Sequence, residues 1–508
     1  MLTKVLIANR GEIARRVMRA CRELGIRTVA VHSDADAAAP HVVMADEAVY
    51  IGPSAASESY LRGDRIIEAA LATGADAVHP GYGFLSERAP FARAVRDAGL
   101  VWIGPPAEAI EAMGSKTAAR TLAERAGVPV VPGATQPVRD APHALSVADT
   151  VGYPLLLKAA SGGGGRGMRV VRTPADLPAA LDSARREALK AFGDDAVYIE
   201  RYLEGPRHIE IQILADAHGR ILSLGERECS VQRRHQKMLE EAPSVAVSAE
   251  LRARMGETAV RAARAAGYVS AGTCEFLLAR DGSFYFLEMN TRIQVEHPVT
   301  ELVTGIDLVE WQLRVAAGER LPWTQDAILP RGWAIECRIT SEDVRNDFLP
   351  TTGRITALGP PAGPGVRWDA GIEVGSEVSR YYDSLLAKLI VWGPTRDLAI
   401  ARMRRALGEL VIEGVETARD LHVRILDDAE FQRGDLDIQW LERRVASLTE
   451  PARDPDRIFA AAVAAAILAA RPATAAANPV DAPETTWAAT ARREALRSPL
   501  PVSGRRTE

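Results

Sequence analysis

The segment Glu288-Met-Asn-Thr-Arg-Ile-Gln-Val-Glu296 sets a carboxylate, an amide, a guanidinium, a second amide and a second carboxylate at alternate positions. In an extended strand these five residues share one face. Such a face can bind a cation, hold an anion and accept a proton, which is more than a solvated strand edge needs. Just before it, residues Glu275 to Glu288 read as a β-hairpin with Asp281-Gly282 as a two-residue turn. That register sets Glu275 opposite Glu288, Leu277 opposite Phe286 and Phe276 opposite Leu287, with both faces apolar and the hairpin buried. Two facing, buried carboxylates repel. A Mg²⁺ or Mn²⁺ ion removes the repulsion, since hard cations prefer oxygen ligands. Protonation, an Arg partner or a bulge would be the ordinary alternatives. Fully extended, positions 288 and 296 lie about 27 Å apart. Either the chain bends there or the site is long, with metal and phosphates near Glu288 and a general base at Glu296.

Two further segments carry chemistry. Lys158-Ala-Ala-Ser-Gly162-Gly-Gly-Gly-Arg-Gly167 lies between two short strand patterns. Glycines let backbone N–H groups close on an anion. It is not a P-loop, because the lysine precedes the glycines. Glu226 to Lys237 is dense in charge and not helical in order, and reads as a loop that could offer Arg, His and Lys to an anion. Lysine is scarce: of 62 basic residues only Lys4, Lys116, Lys158, Lys190, Lys237 and Lys388 are lysine. A lysine kept against that bias points to a need for a compact ammonium, and the surroundings of Lys116, Lys158 and Lys237 support this.

These residues must be positioned by a folded scaffold. The chain of 508 residues suggests about two to four domains. The first 110 residues alternate strands (Val5–Ala8, Thr28–His32, Ala75–His79, Val101–Ile103) with helical patterns such as 12–24, which implies a parallel, doubly wound sheet. Asn9-Arg-Gly11 is not GxGxxG, so a dinucleotide site is not expected. Residues 130–203 read as a small α/β unit, and longer strands and hairpins follow to about 445. The last 60 or so residues are rich in Ala and Pro, and read as one helix, about 456–470, and a flexible tail. A net charge of -5 leaves no basic footprint for nucleic acid. No signal peptide or membrane span is expected. The four cysteines, Cys21, Cys229, Cys274 and Cys337, lack zinc-site spacing, and reduced thiols in a cytoplasmic protein are expected.

Taken in order, Ile7-Ala-Asn-Arg-Gly-Glu-Ile13, His79-Pro-Gly-Tyr-Gly-Phe-Leu-Ser-Glu87, Ser161 to Met168, Arg233-Arg-His-Gln-Lys237 and Glu288 to Pro298 resemble the biotin carboxylases, over residues 1 to about 445. The resemblance implies an α/β and α+β ATP-grasp fold. Its parts are a Rossmann-like N-terminal domain (1–115), an ATP-grasp domain (116–320) with a mobile lid at about 130–203, a C-terminal domain (321–445) and a tail (446–508). It implies that bicarbonate attacks MgATP to give carboxyphosphate, which yields CO₂ and a phosphate that deprotonates biotin. By the same resemblance, Lys116 and Lys158 contact phosphates, Glu200 and Leu203 meet adenine near Leu277, and His208 and Gln232 hold the ribose. Gly163, Gly164, Gly165 and Arg166 close over ATP. Glu275, Glu288 and Asn290 bind Mg²⁺ or Mn²⁺, two ions in all. Lys237, Arg292, Gln294 and Val295 hold bicarbonate, Glu296 deprotonates it, Arg338 stabilises the biotin enolate, and Tyr82 and Glu87 line the biotin side.

No Met-Lys-Met biotin-attachment motif occurs, so the expected partners are a separate biotin carboxyl carrier protein and a carboxyltransferase subunit. Arg16, Arg19 and Glu23 fit the family's dimer interface, whereas Pro364 replaces an aromatic contact. Ser341 to Phe348 is slightly longer than usual in the family, and Thr351-Thr-Gly353 stands where Ser-Pro-Gly is common. The competing readings are another ATP-grasp ligase and a non-catalytic nucleotide-binding partner.

Overall fold

The computed structural model describes residues 2–134, 136–159, 168–192, 194–450, 459 and 462–467, and at 116, 117, 191 and 192 the backbone alone. Short apolar runs near the N-terminus form five parallel strands: β1 (Lys4–Ile7), β2 (Arg27–Ser33), β3 (Glu47–Gly52), β4 (Ala77–His79) and β5 (Val101–Trp102). Their order, β3-β2-β1-β4-β5, is that of a doubly wound sheet. The β3 strand was not expected, because Glu47-Ala-Val-Tyr50 alternates exposed and half-buried residues at the sheet edge. The first helix, α1 (Gly11–Glu23), buries Ile13, Ala14, Val17, Met18 and Cys21, a stripe at helical spacing. The loops after β1 and β4 lie together beyond the strand ends. Gly81 adopts φ +61°, and a Cβ there would stand 2.8 Å from the Asn9 amide nitrogen. That amide donates to the carbonyls of Pro80 and Tyr82, each at 2.7 Å.

The segment 130–203 contains its own three-stranded antiparallel sheet. Strand β6 (Leu155–Ala159) is flanked by β7 (Met168–Val171) and β8 (Val197–Arg201). Leu155, Leu157, Val171, Val197 and Ile199 form a separate small core with two helices, 141–151 and 177–192. The glycine run between β6 and β7, including Gly163, Gly164, Gly165 and Arg166, lies outside the described residues, as does the Lys116 side chain.

The largest sheet has eight strands. Six of them are β9 (Arg207–Ala215), β10 (Ile221–Arg233), β11 (Gln236–Ala242), β12 (Ser270–Leu278), β13 (Phe284–Asn290) and β14 (Trp333–Thr340). Their order is β13-β12-β9-β10-β11-β14, continued by strands Leu385–Gly393 and Val366–Ala370. The sheet therefore runs unbroken past residue 320. The Glu226–Lys237 segment is not a loop but the β10–β11 hairpin. Its tight turn holds Arg234 and His235 at φ +47° and +65°.

Residues Met1–Thr449 form one compact unit and Glu450–Glu508 a second. Of the helix expected at about 456–470, residues 459 and 462–467 are helical; the rest, with the Ala/Pro tail, lies outside the described residues. Among the described residues, no helix is long and apolar enough to cross a membrane.

Candidate active site

The β12–β13 hairpin places the expected carboxylate pair, by a route the turn alone did not reveal. Phe276 pairs with Phe286 and Leu277 with Tyr285, one residue out from the expected register. The loop is longer than two residues: Ala279 pairs with Ser283, and Gly282 takes φ +82°. A bulge after Phe286 then inserts Leu287, and Glu275 faces Glu288 as expected. The hairpin also has one apolar face rather than two. Phe276, Leu278, Phe284 and Phe286 are buried, while Leu277 and Leu287 look into a cleft of about 1080 Å³.

The expected five-residue strand face ends at Asn290, where β13 stops. The chain turns, and Glu296 becomes the N-cap of the helix His297–Thr304, whose start is set by Pro298. All five residues still line the cleft, along with Val295, Lys237 and Arg338. The bend removes the 27 Å span. Lys237 Nζ donates to Glu275 Oε1 at 3.0 Å and to Glu296 Oε1 at 2.8 Å, so one ammonium joins Glu296 to Glu275, the residue paired with Glu288.

Register explains the density of charge. Glu288, Glu275, Glu210 and Arg227 lie side by side across β13, β12, β9 and β10. Arg227 is wholly buried and donates to Glu210 Oε2 at 3.1 Å, Gln212 Oε1 at 2.6 Å, Thr273 Oγ1 and Thr300 Oγ1 at 3.0 Å, and Gln294 Oε1 at 2.5 Å. Gln294 passes the constraint on, donating to Glu275 Oε1 at 2.8 Å. Lys237 also bonds Glu210. Burial disfavours the Lys237 ammonium, but Glu210, Glu275 and Glu296 outweigh it and raise its proton affinity well above the usual value. Burial likewise works against ionised Glu275 and Glu296. Lys237 and His208 hold Glu275 ionised, and Lys237 and Arg338 hold Glu296 ionised, against repulsion from Glu210 in the latter case. His208 Nε2 lies 3.0 Å from Glu275 Oε2 and 3.2 Å from Glu210 Oε1. Although burial opposes its charge, these carboxylates push its pKa up to about 10.

Arg338, on β14, donates from Nε to Glu240 Oε1 at 2.6 Å and from Nη2 to Glu296 Oε2 at 2.9 Å. Arg292 donates to Glu87 Oε2 at 3.0 Å and Asn290 Oδ1 at 2.9 Å, and Asn290 Nδ2 donates to Glu275 Oε1 at 2.7 Å. Tyr82 lines the cleft and bonds Glu12. Lys388, fully buried, donates to the Val295 carbonyl at 2.8 Å and lies 3.1 Å from Glu12 Oε1.

Also lining the cleft, Lys158 bonds Glu200, which accepts from Arg120 as well, at 3.2 Å. His208, Gln232 and Leu277 line the same space; Leu203 and Glu87 do not. Arg16, expected at an interface, is buried and lies 3.0 Å from Glu301 and 2.5 Å from Asp307 within the chain. Of the Ser341–Phe348 stretch, Glu342 and Phe348 line the cleft, with Arg233 4.0 Å above the Phe348 ring.

Glu275, Glu288 and Asn290 offer carboxylate and amide oxygens side by side, a donor set that fits a hard divalent cation.

Glu210, Arg227, Glu240 and Lys388 were not singled out from sequence. Arg207-His-Ile-Glu-Ile-Gln-Ile213 carries a period-two signal, with polar residues between isoleucines, that marks one polar face. Lys388 is one of the six lysines, but its neighbours are plain strand residues and nothing nearby marks it.

Three family models match in chain order. They are "Biotin carboxylase, N-terminal domain" over residues 1–110, "Carbamoyl-phosphate synthase L chain, ATP binding domain" over 115–324 and "Biotin carboxylase C-terminal domain" over 336–443. A biotin carboxylase of Nostoc sp. is 54% identical over 439 residues, covering 86% of this chain and 98% of the relative. A pyruvate carboxylase subunit of Methanothermobacter thermautotrophicus is 53% identical over 442 residues, covering 87% and 90%. Among solved structures, the biotin carboxylase domain dimer of Hydrogenobacter thermophilus 2-oxoglutarate carboxylase, in complex with MgADP, ADP and bicarbonate, gives a TM-score of 0.82 at 47% identity, covering 89% of this chain and 100% of that one. Two biotin carboxylase domain models flank the ATP-binding match, which sets aside other ATP-grasp ligases. The chain belongs to the biotin carboxylase family, ATP-dependent ligases of ATP-grasp fold.

Proposed function

We propose that the chain carboxylates biotin borne on a separate biotin carboxyl carrier protein, as the first half-reaction of an acyl-CoA carboxylase of the acetyl- or propionyl-CoA type. The observation that carries the site assignment is the Lys237 ammonium bonded to Glu210, Glu275 and Glu296, with Arg338 sharing Glu296. Two Mg²⁺ or Mn²⁺ ions held by Glu275, Glu288 and Asn290 would spread charge over the phosphoryl oxygens of ATP when bound.

Glu296 starts ionised and accepts the bicarbonate proton. Lys237, Arg292, Gln294 and the Val295 peptide hold bicarbonate beside it. Glu87 and Asn290 orient Arg292, and Lys388 fixes the Val295 carbonyl. Once protonated, Glu296 loosens its hold on Arg338, whose positive charge becomes available to the biotin enolate as that anion forms. Tyr82 and Glu87 belong to the biotin side. Lys116 and Lys158 take the phosphates, Glu200, Leu203 and Leu277 the adenine, and His208 and Gln232 the ribose. Gly163 to Gly165 and Arg166 close over the nucleotide and exclude water from carboxyphosphate.

A separate carboxyltransferase completes the assembly, with a homodimer and cytoplasmic residence as part of the same reading. The Methanothermobacter and Hydrogenobacter relatives favour one alternative, in which the final acceptor is a 2-oxo acid. Labelled bicarbonate, MgATP and free biotin or biotinylated carrier test the proposal. Label should enter biotin and phosphate release should rise with it; release indifferent to biotin would contradict it. Copurified transferase, assayed with acyl-CoA and with 2-oxo acids, separates the two acceptors.

A further inference from the structure

Glu240 on β11 and Glu336 on β14 are directly opposed in the antiparallel register, and both are 0% exposed. Directly opposed side chains have Cβ atoms about 5 Å apart. Two anions at that spacing, away from water, repel. Glu240 Oε1 accepts from Arg338, but its Oε2 has no hydrogen-bond partner, and neither oxygen of Glu336 has one. The groups facing the pair are Arg338 on β14, Lys388 on the next strand, Glu296 at the start of its helix, Lys237 on β11, Cys229 on β10 and Cys337 on β14. Lys388 is already engaged by Val295 and Glu12. An unpartnered, buried carboxylic acid costs far less than an unpartnered, buried carboxylate. The pair is therefore most stable with one proton and one charge, the charge on Glu240 where Arg338 meets it.

We propose that Glu240 and Glu336 form a proton-sharing carboxyl dyad that positions Arg338 for carboxyl transfer to biotin. The inference rests on the role given to Arg338 above. A single charge on Glu240 anchors the guanidinium through Nε and leaves Nη2 directed at Glu296. The proton on Glu336 keeps a second negative charge away from Arg338, whose own charge the enolate needs. Burial pushes the Glu240 pKa up to about 7 and raises Glu336 well above the usual carboxylate range, in keeping with a retained proton. Both are positioning residues, acting through Arg338.

The test is the pH profile of kcat for biotin-dependent ATP cleavage, with MgATP, bicarbonate and free biotin as substrates. Glu240→Gln should lower kcat roughly 10- to 100-fold, the usual loss when a supporting partner is removed. Its KM for MgATP should stay within about twofold, and Glu240→Asp should recover part of the loss. Glu336→Gln imitates the protonated acid. It should lose less than Glu240→Gln and should move the alkaline limb of the profile upward, because the second proton can no longer leave. Unchanged kcat in Glu240→Gln, or an unshifted alkaline limb in Glu336→Gln, overturns the dyad. If Arg338→Gln itself leaves kcat intact, the role of Arg338 fails instead. A rise in thermal midpoint on adding MgATP identifies variants that remain folded. Should Glu240→Gln lose that rise, Glu240→Asp and Glu336→Gln decide the matter by the same criteria.

Discussion

At the scale of single residues, the site is a set of buried charges that hold one another in place. Arg227 touches five side chains and never reaches solvent. Replacing it with Met leaves Glu210 buried with one cation fewer, and should cost about 3–5 kcal/mol. Urea unfolding with an unchanged slope checks this; a loss below about 1 kcal/mol would show that Lys237 alone suffices to hold Glu210. Lysine scarcity was informative at Lys158 and Lys237, both of which line the cleft. It went unused at Lys388, where burial and the Val295 contact depend on strand Leu385–Gly393, more than ninety residues away along the chain. Residue type reveals chemistry, but a partner distant in sequence is invisible without the sheet that joins them.

At the scale of elements, Glu275 and Glu288 face each other as the sequence suggests, but not through the expected turn: the longer loop shifts the register by one residue and the bulge at Leu287 shifts it back. The bulge at Leu287 was not legible, since nothing in Phe284-Tyr-Phe-Leu287 distinguishes an inserted residue from a paired one. The bend after Asn290 was likewise hidden, because Pro298 marks a helix start but leaves the path before it open. A second ion network joins elements away from the cleft. Asp369 on strand Val366–Ala370 accepts from Arg367 at 2.7 Å, and Arg367 also bonds Glu301 at 2.7 Å. Burial would raise the Asp369 pKa, but Arg367 and Lys388 lower it from 3.8 to about 2. A folded-state value below the unfolded one means that the stabilisation is present above about pH 4 and is lost as pH falls through about 2. It amounts to on the order of 2 kcal/mol. Asp369→Asn should be less stable at pH 6 and should show a flatter fall between pH 4 and 2, measured by urea unfolding. An Asn variant with the same slope as the parent would remove Asp369 from the account.

At the scale of the whole molecule, the doubly wound N-terminal sheet, the small unit at 130–203 and the strand-rich remainder were readable from periodicity and turn signals. The continuity of the eight-stranded sheet was not, because pairing between β11 and β14 joins residues about a hundred positions apart, and such pairing leaves no local signal. The core of the first unit closes at Leu448, 7% exposed, just before the boundary at Thr449. A chain ending at Thr449 should therefore keep its thermal midpoint within about 2 °C and retain biotin-dependent ATP cleavage; loss of either would give the second unit a part in folding or catalysis. The central claim is that one compact cluster divides its labour, with Glu288 facing metal and nucleotide and Glu296 taking the proton. The most direct measurement is phosphate release from MgATP by Glu296→Gln, with and without bicarbonate, beside MgATP affinity for that variant and for Glu288→Gln. Glu296→Gln should bind MgATP as the parent does and lose bicarbonate-dependent release by about 10²- to 10⁴-fold, while Glu288→Gln weakens MgATP binding itself; equal loss of MgATP affinity in both variants, or bicarbonate-dependent release that survives in Glu296→Gln, would contradict it.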